Sequence, residues 1–333
     1  MKAFTINRYG PDSLALSDVP TPSVGARDVL VDIRAAGINP LDKMVRNGEF
    51  KQLLKYKPPF VLGHDVAGVI TQVGPDVADF KVGDEVYSRP RDLRIGTFAE
   101  FIAIDVDDVA LKPHSLSFAE AGAVPLVALA SWQALVDVAH VTPGQKVLIH
   151  AGAGGLGSTA VQVAKHLGAH VAATASTKDL DRVRGFGADV VIDYRQQDFA
   201  DVLSGYDVVL DSLGGSNLDK SLTILQPGGL AISVGGPPDP AFARQLRRPL
   251  LAPVMAVLSR KVRRKAKKLG VRYSFLFMRA SGAQLKTLAG LYDDGSLRPV
   301  LDCTFDFDQT PQAMAYVEQG RAKGKIVVTR GEG

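Results

Sequence analysis

Lys146-Val-Leu-Ile-His-Ala-Gly-Ala-Gly-Gly-Leu-Gly157 decides the fold, because it joins an apolar strand to a glycine turn that opens into Ser158-Thr-Ala-Val-Gln-Val-Ala-Lys-His-Leu167 and Gly168. Gly152, Gly154 and Gly157 fit the spacing G-x-G-x-x-G. The first glycine permits the tight turn, the second lets backbone approach a pyrophosphate, and the third lets helix and strand pack closely. Gly155 and Leu156 lie within the turn, and the helix N-terminus faces the phosphates. An ordinary tight strand-to-helix turn is the alternative. Against it stand the strand before the glycines, the apolar helix face of Leu156, Ala160, Val163, Ala164 and Leu167, and the cap at Gly168.

The next strand, His170-Val-Ala-Ala-Thr-Ala175, ends where a site for NADH places an Asp or Glu on the adenosine ribose. Ser176-Thr177-Lys178 stands there instead. Two hydroxyls and an ammonium suit the 2′-phosphate of NADPH. Tyr194, ending the following strand Val190-Val-Ile-Asp-Tyr194, adds a hydroxyl and a ring for the adenine. The simpler use of these residues is a helix cap at Ser176 with Asp179 decorating the first turn. The two roles are compatible, so NADPH is the expected cofactor.

With 333 residues, 46% hydrophobic and 22% charged, the chain can bury a large core and has room for two domains. No apolar run reaches the roughly 18 residues of a membrane helix, and Met1-Lys-Ala-Phe-Thr-Ile-Asn7 reads as a strand, not an export signal. The single cysteine, Cys303, excludes an intrachain disulfide and a cysteine-rich metal site, and a cytoplasmic location is expected. Net charge is +4, yet eleven Lys or Arg and no acid lie between Arg244 and Arg272. One segment makes the protein basic.

The first 120 or so residues hold short strand-like runs, Val29–Ala35, Val66–Val73, Glu85–Tyr87 and Thr97–Ala103, punctuated by Gly74-Pro75, Val82-Gly-Asp84 and Pro58-Pro59. That texture predicts a barrel-like β unit. Helical stretches over Phe118–Val124 and Val127–Ala139 then lead into the glycine phrase. Beyond it strand and helix alternate through Asp207–Asp211, Leu218–Leu225 and Gly229–Val234, which predicts a parallel doubly wound sheet. A sixth strand is predicted over Tyr273–Met278, a helix over Ala283–Leu291 and a last strand over Lys325–Thr329.

Taken in order, Ala35-Ala-Gly-Ile-Asn-Pro-Leu-Asp42, Leu62-Gly-His-Asp-Val-Ala-Gly68, Lys81-Val-Gly-Asp-Glu-Val-Tyr87, the glycine phrase, Asp211-Ser-Leu-Gly214 and Gly320-Arg-Ala-Lys-Gly-Lys325 resemble the medium-chain dehydrogenase/reductases. Within them the chain resembles the zinc-independent quinone and enone oxidoreductases. The resemblance spans nearly the whole chain. It implies an α/β fold in which a GroES-like β-barrel catalytic domain, 1–122 and 281–333, is interrupted by a doubly wound Rossmann domain, 123–280. It also implies hydride transfer from NADPH to a quinone or an α,β-unsaturated carbonyl. Carried over, it puts Asn39 and Lys43 of the Asp42–Arg46 turn near the nicotinamide ribose, and Val127 and Ala130 behind the ring. Gly154–Gly157 fall on the pyrophosphate, Ser176, Lys178 and Tyr194 on the adenosine end, and Ser212, Leu213 and Gly214 on the adenine-side loop. Val234, Gly235 and Gly236 to Pro237, with Phe275 and Phe277, contact the nicotinamide, and Lys325 closes the site.

Zinc-dependent relatives carry a Cys where this chain has Asn39, a Gly-His-Glu where it has Gly63-His64-Asp65, and a four-cysteine lobe absent here. One distant Cys cannot rebuild those sites, so no metal is expected and His64 and Asp65 read as a satisfied structural pair at a strand start. Many quinone reductases of this type place a Tyr shortly after Arg-x-Gly; here Arg46-Asn-Gly-Glu leads to Phe50, which donates nothing. No catalytic acid is assigned, with Lys43 and Tyr56 as candidates. A specific conjugated acid or ketone is an alternative substrate. Zeta-crystallins, which the chain also resembles, are lens structural proteins that bind RNA; the basic segment here lacks interleaved aromatics, so no nucleic acid is expected. A homodimer is expected along Tyr273–Met278. The basic segment reads either as a substrate lid or as a lid that also rests on anionic membrane.

Overall fold

The computed structural model describes residues 1–320 and 322–331; Arg321, inside the phrase Gly320–Lys325, lies outside the described residues. The chain divides into two compact units, 1–129 with 279–333, and 130–278.

The first unit opens with β1 (Lys2–Ile6), β2 (Leu14–Asp18) and β3 (Asp28–Ile38), then α1 (Pro40–Arg46). It continues with β4 (Phe60–Val61), β5 (Val66–Val73), β6 (Glu85–Ser88), β7 (Phe101–Asp105), β8 (Val109–Leu111) and α2 (Phe118–Ala123). β1 is the centre of a small antiparallel sheet of order β2-β1-β4. β3 organises the larger one, pairing antiparallel with β5 and β7, and its apolar Val29, Val31, Ile33 and Ala35 are buried. Where a helix is predicted over Val127–Ala139, the chain forms α3 (Pro125–Trp132) and then a π-type turn over Gln133–Val138. The Ala139 N–H there reaches back five residues to the Ala134 carbonyl.

The second unit alternates β9 (Lys146–Ile149), α4 (Gly155–His166), β10 (His170–Ala175), α5 (Leu180–Gly185), β11 (Val190–Asp193), α6 (Phe199–Val202) and β12 (Tyr206–Asp211). Next come α7 (Gly215–Ile224), β13 (Leu225–Ser233), α8 (Pro240–Gln245), α9 (Ala252–Leu258), α10 (Arg260–Lys268) and β14 (Arg272–Phe275). All six strands run parallel in the order β11-β10-β9-β12-β13-β14. Val147, Leu148 and Ile149 are fully buried, as expected for a central parallel strand covered on both faces. Strand order reverses between β9 and β12, and a crevice for ligands opens at the C-terminal strand ends of such a reversal.

The predicted sixth strand is shorter than its apolar sequence. β14 stops at Phe275: Leu276 still donates to the Ser233 carbonyl at 2.9 Å, but the Phe277 carbonyl turns away to accept from Gln245 Nε2 at 2.6 Å. The side chain of α8 thus captures the backbone that a longer ladder would need.

The chain then returns to the first unit with α11 (Gly282–Asp293), β15 (Leu301–Asp306), α12 (Thr310–Glu318) and β16 (Lys325–Thr329). β16 lies antiparallel on β3, Ile326 opposite Ile38, and carries β15 parallel on its other side.

Candidate functional site

In the second unit, the residues singled out for the cofactor gather at the C-terminal ends of successive strands. After β9 the turn is forced tight by Ala151, whose φ is +53°. Any Cβ on Gly157 would collide with the Ala151 carbonyl, and one on Gly152 would lie 2.9 Å from the Ala173 Cβ. Those two glycines are needed for packing. Gly154 is different: its nearest obstacle is the Ala151 oxygen at 3.3 Å, and Gly154, Gly155 and Leu156 stay partly exposed. The first backbone bond of α4 runs from Ser158 to the Gly154 carbonyl, so the N–H groups of 155–157 precede the intrahelical ladder and are available to an anion.

The turn is fastened to β10 by Ala151 N donating to Thr174 Oγ1 at 3.0 Å and Gly152 N to the Thr174 carbonyl at 2.8 Å. Tyr194 N donates to the Ala175 carbonyl at 3.1 Å, which sets Tyr194 beside Ser176–Lys178. Thr177, Lys178 and Tyr194 are exposed. Ser176 is not: it is buried, and its hydroxyl donates to Asp179 Oδ2 at 2.5 Å. Asp179 therefore turns back onto Ser176 instead of decorating the helix, and the exposed polar groups are those of Thr177, Lys178 and Tyr194. Arg195, also exposed, adds a cation that sequence reasoning misses; its only signal is its place next to Tyr194.

On the other side of the reversal, Asp211 ends β12 and accepts from Leu213 N and Gly214 N, each at 3.1 Å, and from Ser233 Oγ at 2.5 Å. This one carboxylate, which the sequence marks only as the start of a loop phrase, shapes the Ser212–Gly214 loop and ties it to the end of β13. Val234, Gly235 and Gly236 sit against that loop, where a Cβ on Gly235 would meet the Ser212 carbonyl at 3.0 Å. Phe275 and Phe277 flank Phe242, with ring centroids 5.1 and 5.0 Å away, and Phe275 N donates to Asp239 Oδ2 at 3.1 Å.

Beneath the glycine turn lies His150, buried, with Nε2 at 2.8 Å from Ser221 Oγ and Nδ1 at 3.2 Å from Thr174 Oγ1. Burial pushes its pKa down to about 4, against the opposite pull of Asp211. The unfolded chain then binds a proton near its ordinary pKa of about 6.5 while the folded one does not, so stability is full above that value and falls as pH drops toward 4. We expect a loss of about 3 kcal/mol over this window. Urea midpoints at pH 7 and pH 5 check it: His150→Asn should flatten the difference, and an unchanged difference would place the acid sensitivity elsewhere.

In the first unit, Asn39 and Lys325, two of the residues carried over to the reacting end, join a buried network. Asn39 opens α1, its N–H donating to Asp42 Oδ2 at 2.7 Å. Its side-chain Nδ2 donates to Asp65 Oδ2 at 2.9 Å, and its Oδ1 accepts from Lys325 Nζ at 2.5 Å. Lys325 also meets Asp65 Oδ2 at 3.0 Å, and Leu126 N donates to Asp65 Oδ1 at 2.7 Å. Burial pushes the Asp65 carboxyl up from its ordinary pKa, opposed by Lys325, Asn39 and the Leu126 N–H. His64 does not pair with Asp65 as the sequence suggests. In the loop before β5, His64 Nδ1 instead meets Asp42 Oδ1 at 2.6 Å, both fully buried.

Lys43 is half-buried on α1. Tyr56 is buried, stacked on Phe60 at 5.1 Å, and its hydroxyl accepts from Leu93 N at 3.1 Å. Burial raises its pKa, so it keeps its proton. Val127 and Ala130, both buried on α3, fall in different units. A divalent metal does not fit the Asn39–Asp65 set: the Lys325 ammonium already neutralises the carboxylate and takes the Asn39 oxygen. Among the described residues, no three His, Cys, Asp or Glu side chains converge as metal ligands.

Residues 25–114 match the alcohol dehydrogenase GroES-like domain, and residues 186–328 match a family described as zinc-binding dehydrogenase. The chain is 35% identical to 2-methylene-furan-3-one reductase of Solanum lycopersicum, over 98% of this chain and 79% of that protein. It is 34% identical to the chloroplastic NADPH-dependent alkenal/one oxidoreductase of Arabidopsis thaliana, with the same coverage of both. Among solved structures, the quinone oxidoreductase of Coxiella burnetii superimposes with a TM-score of 0.87 at 30% identity, covering 99% of each chain. With a GroES-like unit interrupted by a parallel Rossmann sheet and relatives of this kind along its length, the chain belongs to the medium-chain dehydrogenase/reductase superfamily and is an NAD(P)H-dependent oxidoreductase.

Proposed function

We propose that this protein uses NADPH, without a metal, to reduce quinones or α,β-unsaturated carbonyl compounds. The observation that carries the cofactor choice is the end of β10, where Thr177 and the Lys178 ammonium are exposed and the nearby Asp179 is bound to Ser176. Bound NADPH supplies a hydride. The protein's own part is to hold and orient. The 155–157 N–H groups take the pyrophosphate, Thr177, Lys178 and Tyr194 the adenosine end, and the Val234–Gly236 backbone with Phe275 and Phe277 the nicotinamide side. Hydride arriving at a conjugated carbon leaves negative charge on the carbonyl oxygen, and water returns the proton. An already polarised acceptor needs no Lewis acid to reach this state, which agrees with the donor set around Asp65.

The test is NADPH consumption over a panel of quinones and enones, with and without a strong chelator. Turnover that survives chelation is expected; turnover that vanishes and returns with zinc would overturn the metal-free reading. A dimer is proposed with it, formed along the outer side of β14, the end strand of its sheet. Light scattering of the same preparation should give twice the chain mass. No helix among the described residues is long and apolar enough to cross a membrane. A cytoplasmic location rests on the sequence reading, and fractionation of the native cell checks it.

A further inference from the structure

Within the segment from Arg244 to Arg272, α9 and α10 join an exposed apolar surface to an exposed cationic one. α9 and α10 meet at Ser259, whose N–H donates to the Met255 carbonyl as the last bond of α9 and whose carbonyl accepts from Arg263 N as the first bond of α10, both 3.0 Å. Taken together, the two helices have a single buried stripe, Met255, Ser259, Val262 and Ala266, spaced four, three and four apart. Val262 and Ala266 join the core beneath β12 and α7 with Leu218 and Leu222, and Lys265 Nζ pins α10 to the Asp219 carbonyl at 2.6 Å.

The surface opposite that stripe changes character along the axis. On α9, Val254, Val257 and Leu258 are 56%, 72% and 57% exposed, and Leu250 just before them is 91% exposed. On α10, Arg260, Arg263, Arg264, Lys267 and Lys268 are exposed and carry no ion pair among the described residues. Water suits the cations and not the apolar half. A second copy related by two-fold symmetry would cover the valines and leucines but bring the cations of both chains together. Nucleic acid would neutralise the cations, but no aromatic side chain lies between Arg244 and Arg272 for bases to stack on.

We propose that this helix pair docks on an anionic lipid bilayer, lying in the interface with Leu250, Val254, Val257 and Leu258 among the upper acyl carbons and the α10 cations at the phosphates. With α9 only seven residues long and Pro253 in its first turn, the contact is peripheral. It does not depend on which acceptor the enzyme reduces, so turnover of a water-soluble quinone reports on that reading separately.

Co-sedimentation of the full chain with phosphatidylcholine vesicles, with and without phosphatidylglycerol, at low and high salt, is the test. Binding about tenfold tighter to the anionic vesicles, and weakened by salt, is expected. The double variants Val257→Asp/Leu258→Asp and Arg264→Glu/Lys268→Glu should each lower it about tenfold while leaving turnover of the soluble quinone unchanged, since these side chains face solvent. Equal binding to both lipids, or none to either, would overturn the proposal. So would a dimer broken by the apolar variant, or an RNA shift, in a protein that ignores the vesicles.

Discussion

Lys178→Ala should raise the KM for NADPH by roughly ten- to a hundredfold and leave that for NADH nearly unchanged. An ammonium hydrogen-bonded to a dianionic phosphate contributes about 1.5 to 3 kcal/mol, and every 1.4 kcal/mol is tenfold in affinity. The structure sharpens this expectation relative to the sequence. Of the three residues that replace the ribose-binding acid, Ser176 has given its hydroxyl to Asp179, so the selectivity falls on Lys178, helped by Thr177 and Tyr194. Parallel kcat/KM measurements with both cofactors check it. A matching loss for both would mean that Lys178 holds the turn and not the phosphate, and equal affinities in the unaltered protein would remove the basis of the prediction.

The second large effect is expected at the buried pair of the first unit. Asp65→Ala strands the Lys325 ammonium, and Lys325→Met leaves the Asp65 carboxylate with only Asn39 Nδ2 and Leu126 N. Breaking a buried ion pair from one side costs about 3 to 5 kcal/mol, because a charge remains with too little to hold it. Removing both sides costs less than the sum of the two single changes. Urea unfolding of both single variants and the double variant gives the coupling directly. Additive losses would mean that Asp65 and Lys325 act separately, and the network drawn through Asn39 would be wrong.

The doubly wound sheet is legible in the sequence because its signals are local. Each strand of the second unit is a short apolar run ended by turn residues, and the glycine spacing fixes the turn and helix after β9. The strand expected to reach Met278 stops early for a reason of another kind: Leu276, Phe277 and Met278 look like sheet residues, but Gln245, thirty-two positions earlier, takes the Phe277 carbonyl. The same limit applies at the site. Asn39, Lys43 and Lys325 stand out through phrases that resemble a family, while the partner of His64 does not, since nothing in Gly63-His64-Asp65 reveals that the imidazole reaches across to Asp42. Asp211 opens a recognisable loop phrase, but its bonds to two backbone N–H groups leave no mark on the sequence.

The pairing of β16 with β3 also bears on the order in which the chain can be made. The second unit is one continuous stretch, so every strand of its sheet is present once residue 278 has been synthesised, and it can fold as a unit while the rest is still emerging. The first unit has no such freedom. Ile38 waits for Ile326, and Asp65 for Lys325 260 residues later, so its larger sheet lacks β15 and β16 and its buried carboxylate lacks a counter-ion until residues 301–329 have been made. The entropy of closing so long a loop grows only slowly with its length, and the folded second unit already holds together most of the intervening chain. The early β strands of the nascent protein, with the β3 edge uncovered, are thus the state most in need of protection from other chains.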